Sequence, residues 1–480
     1  MLQRYMSILG RAFINVCFMA VLAIKPLCGN ALEQAVDVYA SYNASVFQVR
    51  IIELGSGSQS SLGTAFLVAD GRFMATNYHV VSAKVFEPEK YRIEVEIKGE
   101  KLTLDILAVD VVNDLAVLAF QMPPINSALA TDQPFVVKQT EPIKQTESIK
   151  QTESIKQTES IKQTESIKPI PPSPNLGKGF KLQPKLPEKG TTLYSFGNPH
   201  GIGMTVVEGN FNGLVEHRFV EQIHFSGAIN PGMSGGPTLD AQSAVVGVNV
   251  ATAGNQIGFL VPAKALAALL VRTPDSVPTQ AQLYASMAEQ IEHHTSSMVT
   301  EALATPWKIS NLKDIQISSS PLTWLECWGD SEHDKKTKTY TISRGCHSGG
   351  ALFLNQEFNS GFMEYEYLYV EAPTWPSISL YDFMAKQTSQ AGPANKGTKK
   401  ELGHFSCNES EVINSQGTKA RVSYCLRAYK QFPNLYDAFY MAVTTDKKQQ
   451  SLMSHYTLAG VNQVSAQAFL THFVELAKWL

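Results

Sequence analysis

Five successive copies of a six-residue unit, Lys-Gln-Thr-Glu-Pro/Ser-Ile, fill Lys138 to Ile167, and a proline-rich stretch continues to Pro174. A period of six does not keep one face of an α-helix apolar. One isoleucine per copy cannot bury enough surface to offset the entropy of ordering the unit. Each copy also carries one Lys and one Glu, so it is locally neutral. Residues 138–174 therefore read as an extended linker, and a spacer is preferred over a repetitive adhesive surface. Whatever folds here must be built from the residues on either side.

Both flanks carry the same kind of pattern. From Ser45 to Phe120, short β-branched or alternating runs (SVFQVRIIEL, GTAFLVAD, YRIEVEIKG, LTLDILAVD) are separated by Gly, Asp and Pro. Beyond the repeat, TTLYSFGNPHG, MTVVEGNFNGLV, EQIHFSGAI, SAVVGVNVATA and QIGFLVP continue in the same style. Such spacing predicts two all-β units, sandwich or barrel. A helix AKALAALLVR is expected after Pro262, and Leu283, Met287 and Ile291, four apart, predict an amphipathic helical connector over 273–304. Neighbouring His293 and His294 point apart on that helix and read as solvated surface rather than as metal ligands.

Residues 305–480 mix strand-like runs (KTYTISRG, FMEYEYLYVEA, ARVSYCLRAY, AFYMAVTT) with an expected final helix striped by Leu470, Phe473, Val474, Ala477 and Leu480. This predicts an α+β C-terminal domain. Its aromatic stretch YEYLYVEAPTWP reads as sheet and core, because tyrosine is common in strands. The chain as a whole is expected to be mainly β.

Bulk properties narrow the function classes. At 480 residues and 44% apolar content, the chain exceeds one hydrophobic core. Forty Lys and Arg against 43 Asp and Glu give a net charge of −3, so neither nucleic acid nor an anionic membrane surface is expected as a partner.

The N-terminus places Arg4 and Arg11 before an apolar run, Phe13 to Ile24, and small residues ending at Ala31. That is the pattern of a signal peptide over residues 1–31. The run is too short to span a bilayer, for which about 20 residues are needed. Export to a bacterial periplasm or secretion is expected, with no stable membrane span after cleavage. Cleavage removes Cys17 and Cys28 and leaves Cys327, Cys346, Cys407 and Cys425. Two disulfides are expected among these four, with all three pairings open; no Cys-x-x-Cys spacing supports zinc.

Two stretches present a serine before two glycines, INPGMSGGPTL around Ser234 and RGCHSGGALFL around Ser348. Serine is a weak nucleophile. It needs a base, a carboxylate to orient that base, and N–H donors for the oxyanion. Upstream of Ser234, MATNYHVV presents His79 in what reads as a loop after an apolar strand, and VNDLAVLAF sets Asp114 directly before another. Asp110 is the rival carboxylate, without an uninterrupted strand behind it. Ser348 has Cys346 where Ser234 has Gly232, and no comparable His and Asp blocks accompany it, so its glycines are assigned to a turn.

The blocks SLGTAFLVADGRFMATNYHVV, VNDLAVLAF, LYSFGNPHG, AINPGMSGGPTLD and IGFLVP resemble, in order, those of HtrA/DegP-like serine proteases of the trypsin-like double β-barrel fold. The resemblance covers about residues 43 to 272 and implies a protease domain over 32–272. It also implies His79 as general base, Asp114 as its orienting carboxylate and Ser234 as nucleophile. The backbone N–H groups of Gly232 and Ser234 would form the oxyanion hole. Polypeptides are the implied substrates, and neither cofactor nor metal is called for.

Where the family usually carries Asn, Asp and Phe, this chain has Met233, Ser226 and His200. No Ile-Val-Gly-Gly precedes His79, so activation by a freshly cut N-terminus is not expected. Ala228 and Ile229, at the base of the expected specificity pocket, carry no charge and imply an aliphatic preference at the cleaved position. No PDZ domain is recognisable after residue 275, and the sequence leaves the oligomeric state open. The alternative reading is a catalytically weak protease-fold binding protein whose C-terminal domain recognises a partner.

Overall fold

The structure, a computed structural model, describes residues 40, 43–121, 179–254 and 256–480. The segment expected to be a leader (1–31) and the repeat with its proline-rich exit (138–174) lie outside the described residues. Six antiparallel strands, β1 (Val46–Glu53), β2 (Gln59–Val68), β3 (Phe73–Thr76), β4 (Tyr91–Ile97), β5 (Glu100–Asp110) and β6 (Leu115–Phe120), close into a barrel in the order β1-β2-β3-β6-β5-β4. A helix, α1 (Tyr78–Phe86), follows β3.

A second closed barrel runs β10-β11-β12-β9-β8-β7, from β7 (Thr192–Gly197), β8 (Thr205–Leu214), β9 (Ile223–Phe225), β10 (Pro237–Leu239), β11 (Val245–Thr252) and β12 (Gly258–Pro262). The uninterrupted apolar run LAVLAF of β6 has a packing cause. Ala116, Leu118 and Phe120 enter the first barrel's core, while Leu115, Val117 and Ala119 face a second cluster with Tyr194, Phe196, Val248 and Val261 of the other barrel. A strand covered on both faces loses its polar alternation.

Helix α2 (Ala263–Val271) starts directly after Pro262, and its Leu266 and Leu269 join the cluster between the barrels. Helix α3 (Gln280–Ala304) opens on a capping box, Thr279 with Gln282. Its stripe of Leu283, Met287 and Ile291 packs into the first barrel's core. Farther along, Met298, Val299 and Ala302 enter the core of the C-terminal domain, so one helix is shared by both bodies.

That domain begins with a hairpin, β13 (Lys308–Leu312) and β14 (Ile315–Ser319), and continues with β15 (Leu325–Asp334) and β16 (Thr339–Ser348). A short hairpin, β17 (Leu352–Asn355) and β18 (Phe358–Ser360), precedes β19 (Met363–Glu371) and helix α4 (Ser377–Gln390). Strands β20 (Ser406–Ile413), β21 (Lys419–Ala428), β22 (Tyr436–Thr444) and β23 (Gln450–Val461), helix α5 (Gln463–Phe473) and strand β24 (Ala477–Trp479) complete it. Seven strands form one antiparallel sheet in the order β15-β16-β19-β23-β22-β21-β20.

Tyr365, Tyr367 and Tyr369 alternate onto the sheet face covered by α5, and α4 covers the other face through Leu380 and Met384. The aromatic stretch is thus core, and the architecture is α+β. Disulfides Cys327–Cys346 and Cys407–Cys425 tie each edge strand to its neighbour. No helix among the described residues is long and apolar enough to cross a membrane.

Two expectations fail here. The final helix stops at Phe473, and Ala477–Trp479 becomes an edge strand on β14, where its backbone groups gain hydrogen-bond partners. His294 is not surface: only 6% exposed, its Nε2 donates to the Gly361 carbonyl at 3.0 Å, and its ring lies 5.1 Å from that of Phe219, which the second barrel contributes. Neighbouring helix positions did point apart, but only His293 met solvent.

Burial, then the neighbouring His293, lower the His294 pKa to about 4 against the opposing hydrogen bond to Gly361. The folded state therefore refuses a proton that the unfolded chain accepts below about pH 6.5. Its contribution is intact above pH 6.5 and is lost as pH falls from there towards 4, at a cost of about 3 kcal/mol. Urea titrations of wild type and His294→Leu across that window should show a shallower acid loss in the variant. Parallel curves would reject the assignment.

Candidate active site

His79 occupies the first turn of α1 rather than a loop, directly after buried Asn77 and Tyr78. Asp114 ends the turn between β5 and β6 with φ +53°, a left-handed conformation that Asp tolerates better than most residues. Its main-chain carbonyl accepts from Asn77 Nδ2 at 2.8 Å and from the Tyr78 N–H at 3.2 Å. One carboxylate oxygen accepts the His79 backbone N–H at 2.8 Å, and the other accepts a hydrogen bond from Nδ1–H at 2.6 Å.

The carboxylate therefore holds both the backbone and the ring of the histidine, which leaves Nε2 as the unprotonated nitrogen of the neutral ring. Burial lowers the His79 pKa, yet the charge and hydrogen bond of Asp114 outweigh it and leave the group above the ordinary histidine value. Asp110 does other work: it accepts from the N–H and side chain of Asn113 and pairs with Arg272, shaping the turn that presents Asp114.

Ser234 sits in a tight loop between β9 and β10. Gly232 has φ +95°, and a Cβ there would lie 2.4 Å from the Asn198 carbonyl oxygen. Gly235 has φ +84°, and its Cβ would meet Thr76 Oγ1 at 2.2 Å. No larger residue fits either place without moving backbone. Thr64 pins the loop from the first barrel: its N–H donates to the Ser234 carbonyl at 2.8 Å and its hydroxyl to the Gly232 carbonyl at 2.7 Å. Asn249 Nδ2 holds the Met233 carbonyl at 3.2 Å from the other side.

With those carbonyls tied back, the N–H groups of Gly232 and Ser234 donate to no protein group among the described residues. The Ser234 hydroxyl faces the Val250 carbonyl at 3.5 Å rather than His79. His79 and Asp114 are thus in contact, and the serine hydroxyl is not hydrogen-bonded to them in this conformation.

The departures from the family pattern have structural roles. Met233 is fully buried in the second barrel's core with Phe225 and Val246, so apolar packing anchors the serine loop. The backbone N–H of His200 donates to the Pro231 carbonyl at 2.8 Å, just before Gly232. The Ser226 hydroxyl accepts the Asn210 N–H. Ile229 joins the same core and Ala228 is half-buried.

Thr64, Thr76 and Asn249, all fully buried, were not singled out in the sequence. Asn249 left a trace, a lone amide inside the apolar run VVGVNVAT. Ser348 is distant in role: its hydroxyl bonds to Gly350 and Met363 backbone, stabilising a turn. Among the described residues no group of three or more His, Cys, Asp or Glu side chains could hold a metal.

Residues 63–248 match the trypsin-like peptidase domain family. "Probable periplasmic serine endoprotease DegP-like" from Chlamydia muridarum is 26% identical over 211 residues, 42% of this chain and 31% of its own length. The double barrel is similar to the trypsin-like peptidase domains of DegP-like proteases. "Protease Do-like 1, chloroplastic" from Arabidopsis thaliana is 33% identical over 86 residues, 15% of this chain and 20% of its own. The chain thus spans less than a third of the length of these curated relatives. Among solved structures, Deg5 aligns at 21% identity and TM-score 0.34, covering 50% of this chain and 93% of that one. The fold of this region rests on its two closed barrels rather than on that score.

Proposed function

We propose that the chain is an exported serine endopeptidase that hydrolyses peptide bonds in polypeptides through His79, Asp114 and Ser234. The observation that carries this reading is the two-point grip of Asp114 on His79, at 2.6 and 2.8 Å, which selects the tautomer a general base requires. Ser234 Oγ, rotated from Val250 towards His79, gives its proton to Nε2 as it attacks the scissile carbonyl. His79 then returns that proton to the leaving amine, and water repeats the cycle on the acyl-enzyme.

The N–H groups of Gly232 and Ser234 receive the oxyanion, each contributing about 3 kcal/mol. A hydroxyl turned away from its base is compatible with this role, because catalytic hydrogen bonds tighten on substrate binding. The uncharged, half-buried Ala228, followed by Ile229 in the barrel core, supports a preference for aliphatic side chains at the cleaved position. Export is supported by the leader pattern of residues 1–31 and by the periplasmic designation of the DegP-like relative, and processing or quality control of exported polypeptides fits that location.

The test is covalent. Mature folded protein treated with a fluorophosphonate probe should carry one adduct, mapped by peptide mass spectrometry to Ser234. An adduct on another serine, or none, would sink the reading and leave a protease-fold binding protein in its place.

A further inference from the structure

The C-terminal domain meets the barrels at the helix that bears His79. Leu352, Leu354 and Phe358 of the β17–β18 hairpin share one core with Val80, Val81 and Val85 of α1. The buried Tyr78 hydroxyl donates to the Leu354 carbonyl at 2.7 Å, across 276 residues of sequence. Between the two leucines, half-buried Phe353 sets its ring 6.4 Å from the His79 imidazole at an interplanar angle of 88°, and 6.5 Å from the Tyr78 ring. That is the edge-to-face arrangement preferred by aromatic pairs.

Helix α3 adds two clamps from the same side. Gln280 Nε2 donates to the Val85 and Phe86 carbonyls at the end of α1. Gln290 accepts the Val111 N–H and donates to the Val109 carbonyl, both at 2.9 Å, just ahead of the turn that carries Asp114. The helix of the base and the turn of its carboxylate are therefore each braced by residues outside the two barrels.

We propose that Phe353 is a positioning residue for His79, covering the His79–Asp114 pair against water and fixing the ring plane, so that the C-terminal domain completes the active site. This inference rests on the peptidase reading above. In the folded chain the His79 side chain keeps 31% of its exposure and that of Asp114 22%. Phe353 is the aromatic ring set against the imidazole, and the hairpin's charged residue, Glu357, is exposed in its turn and is not among the groups that act on His79. Asp114 is the one charged group that acts on His79 from the elements packed around it.

Burial is the largest single influence on this imidazole and pulls its pKa down, so uncovering the ring while Asp114 keeps its 2.6 Å contact with Nδ1 raises the pKa. The neutral ring is the base, so the acid limb of the pH profile moves to higher pH. A residue that only held the two domains together would lower stability without moving that limb.

The experiment uses the full mature chain as wild type, Phe353→Ala, Phe353→Leu and Phe353→Tyr, with thermal melting to confirm folding. Two readouts are taken: the pH dependence of kcat/KM on a peptide substrate, and the His79 titration by NMR of 13C-histidine-labelled protein, assigned with His79→Gln. Phe353→Ala should raise both midpoints by half a pH unit or more and lower kcat roughly tenfold. Phe353→Tyr, which keeps the ring, should restore both. If Phe353→Ala does not fold, Phe353→Leu fills the volume without the ring and should show the same direction of change. Wild-type midpoints in the folded Ala or Leu variant would overturn the proposal. Since the NMR titration needs no turnover, it decides the positioning role even if wild type forms no Ser234 adduct, an outcome that would defeat the peptidase reading separately.

Discussion

On the proposed mechanism, Ser234→Ala should lower peptide hydrolysis by about 10⁶-fold, equivalent to roughly 8 kcal/mol of transition-state stabilisation. The size follows from how the parts cooperate. Without Oγ no acyl-enzyme forms, and His79 and Asp114 have no proton to move, so their contributions vanish with the nucleophile. What survives is the pair of N–H donors at Gly232 and residue 234, which need only backbone, and substrate binding; together these keep a residual 10³–10⁴-fold over water. The fold should not change, because the loop is held by Thr64, Asn249 and buried Met233 rather than by the hydroxyl. Initial rates on a casein or peptide substrate, with the variant matched in melting temperature, make the measurement. A loss under tenfold would mean that another group carries the reaction.

Asp114→Asn should cost about 10⁴-fold in kcat, roughly 5 kcal/mol, in a protein that still folds. Asparagine tolerates the left-handed conformation at this position, so the turn survives. Its amide has one accepting oxygen where the carboxylate had two. If that oxygen keeps the His79 backbone N–H, the NH₂ group faces Nδ1 and forces it to accept, which moves the ring proton to Nε2. A histidine protonated at Nε2 cannot take the serine proton. The loss should fall on kcat and kcat/KM alike, because substrate binding does not use this pair. An effect confined to KM would contradict the assigned role of Asp114. The neighbouring carboxylate provides a contrast, since Asp110 bonds to Arg272 and Asn113 and never reaches the imidazole.

Much of the double-barrel domain was legible in the chain itself. Its strands announced themselves by short alternating runs, and the blocks around His79, Asp114 and Ser234 followed a known order. The preference for Asp114 over Asp110 came from the unbroken strand behind it, and β6 proved unbroken because both barrels cover it. Two disulfides were expected from four remaining cysteines, and β-sheet pairing decided which sulfurs meet. The polar ties of the serine loop, Thr64 and Asn249, were nearly silent because single buried polar residues in apolar runs are common for many reasons. The solvated-surface expectation for His294 fails because helix periodicity tells which way a side chain points and not what will be packed there.

The sequence alone determined local matters: where most strands and helices form, and which residue types could make a nucleophilic constellation. These depend on neighbours within a few positions, through side-chain alternation, capping and conformational entropy. Only the tertiary structure decided that Met233 is an apolar anchor, that the chain's last residues pair as a strand, and that a hairpin from the C-terminal domain lays Phe353 against His79. Those facts are contacts between residues up to 276 positions apart. Such contacts are selected by shape and burial across the whole molecule, and no local pattern encodes them.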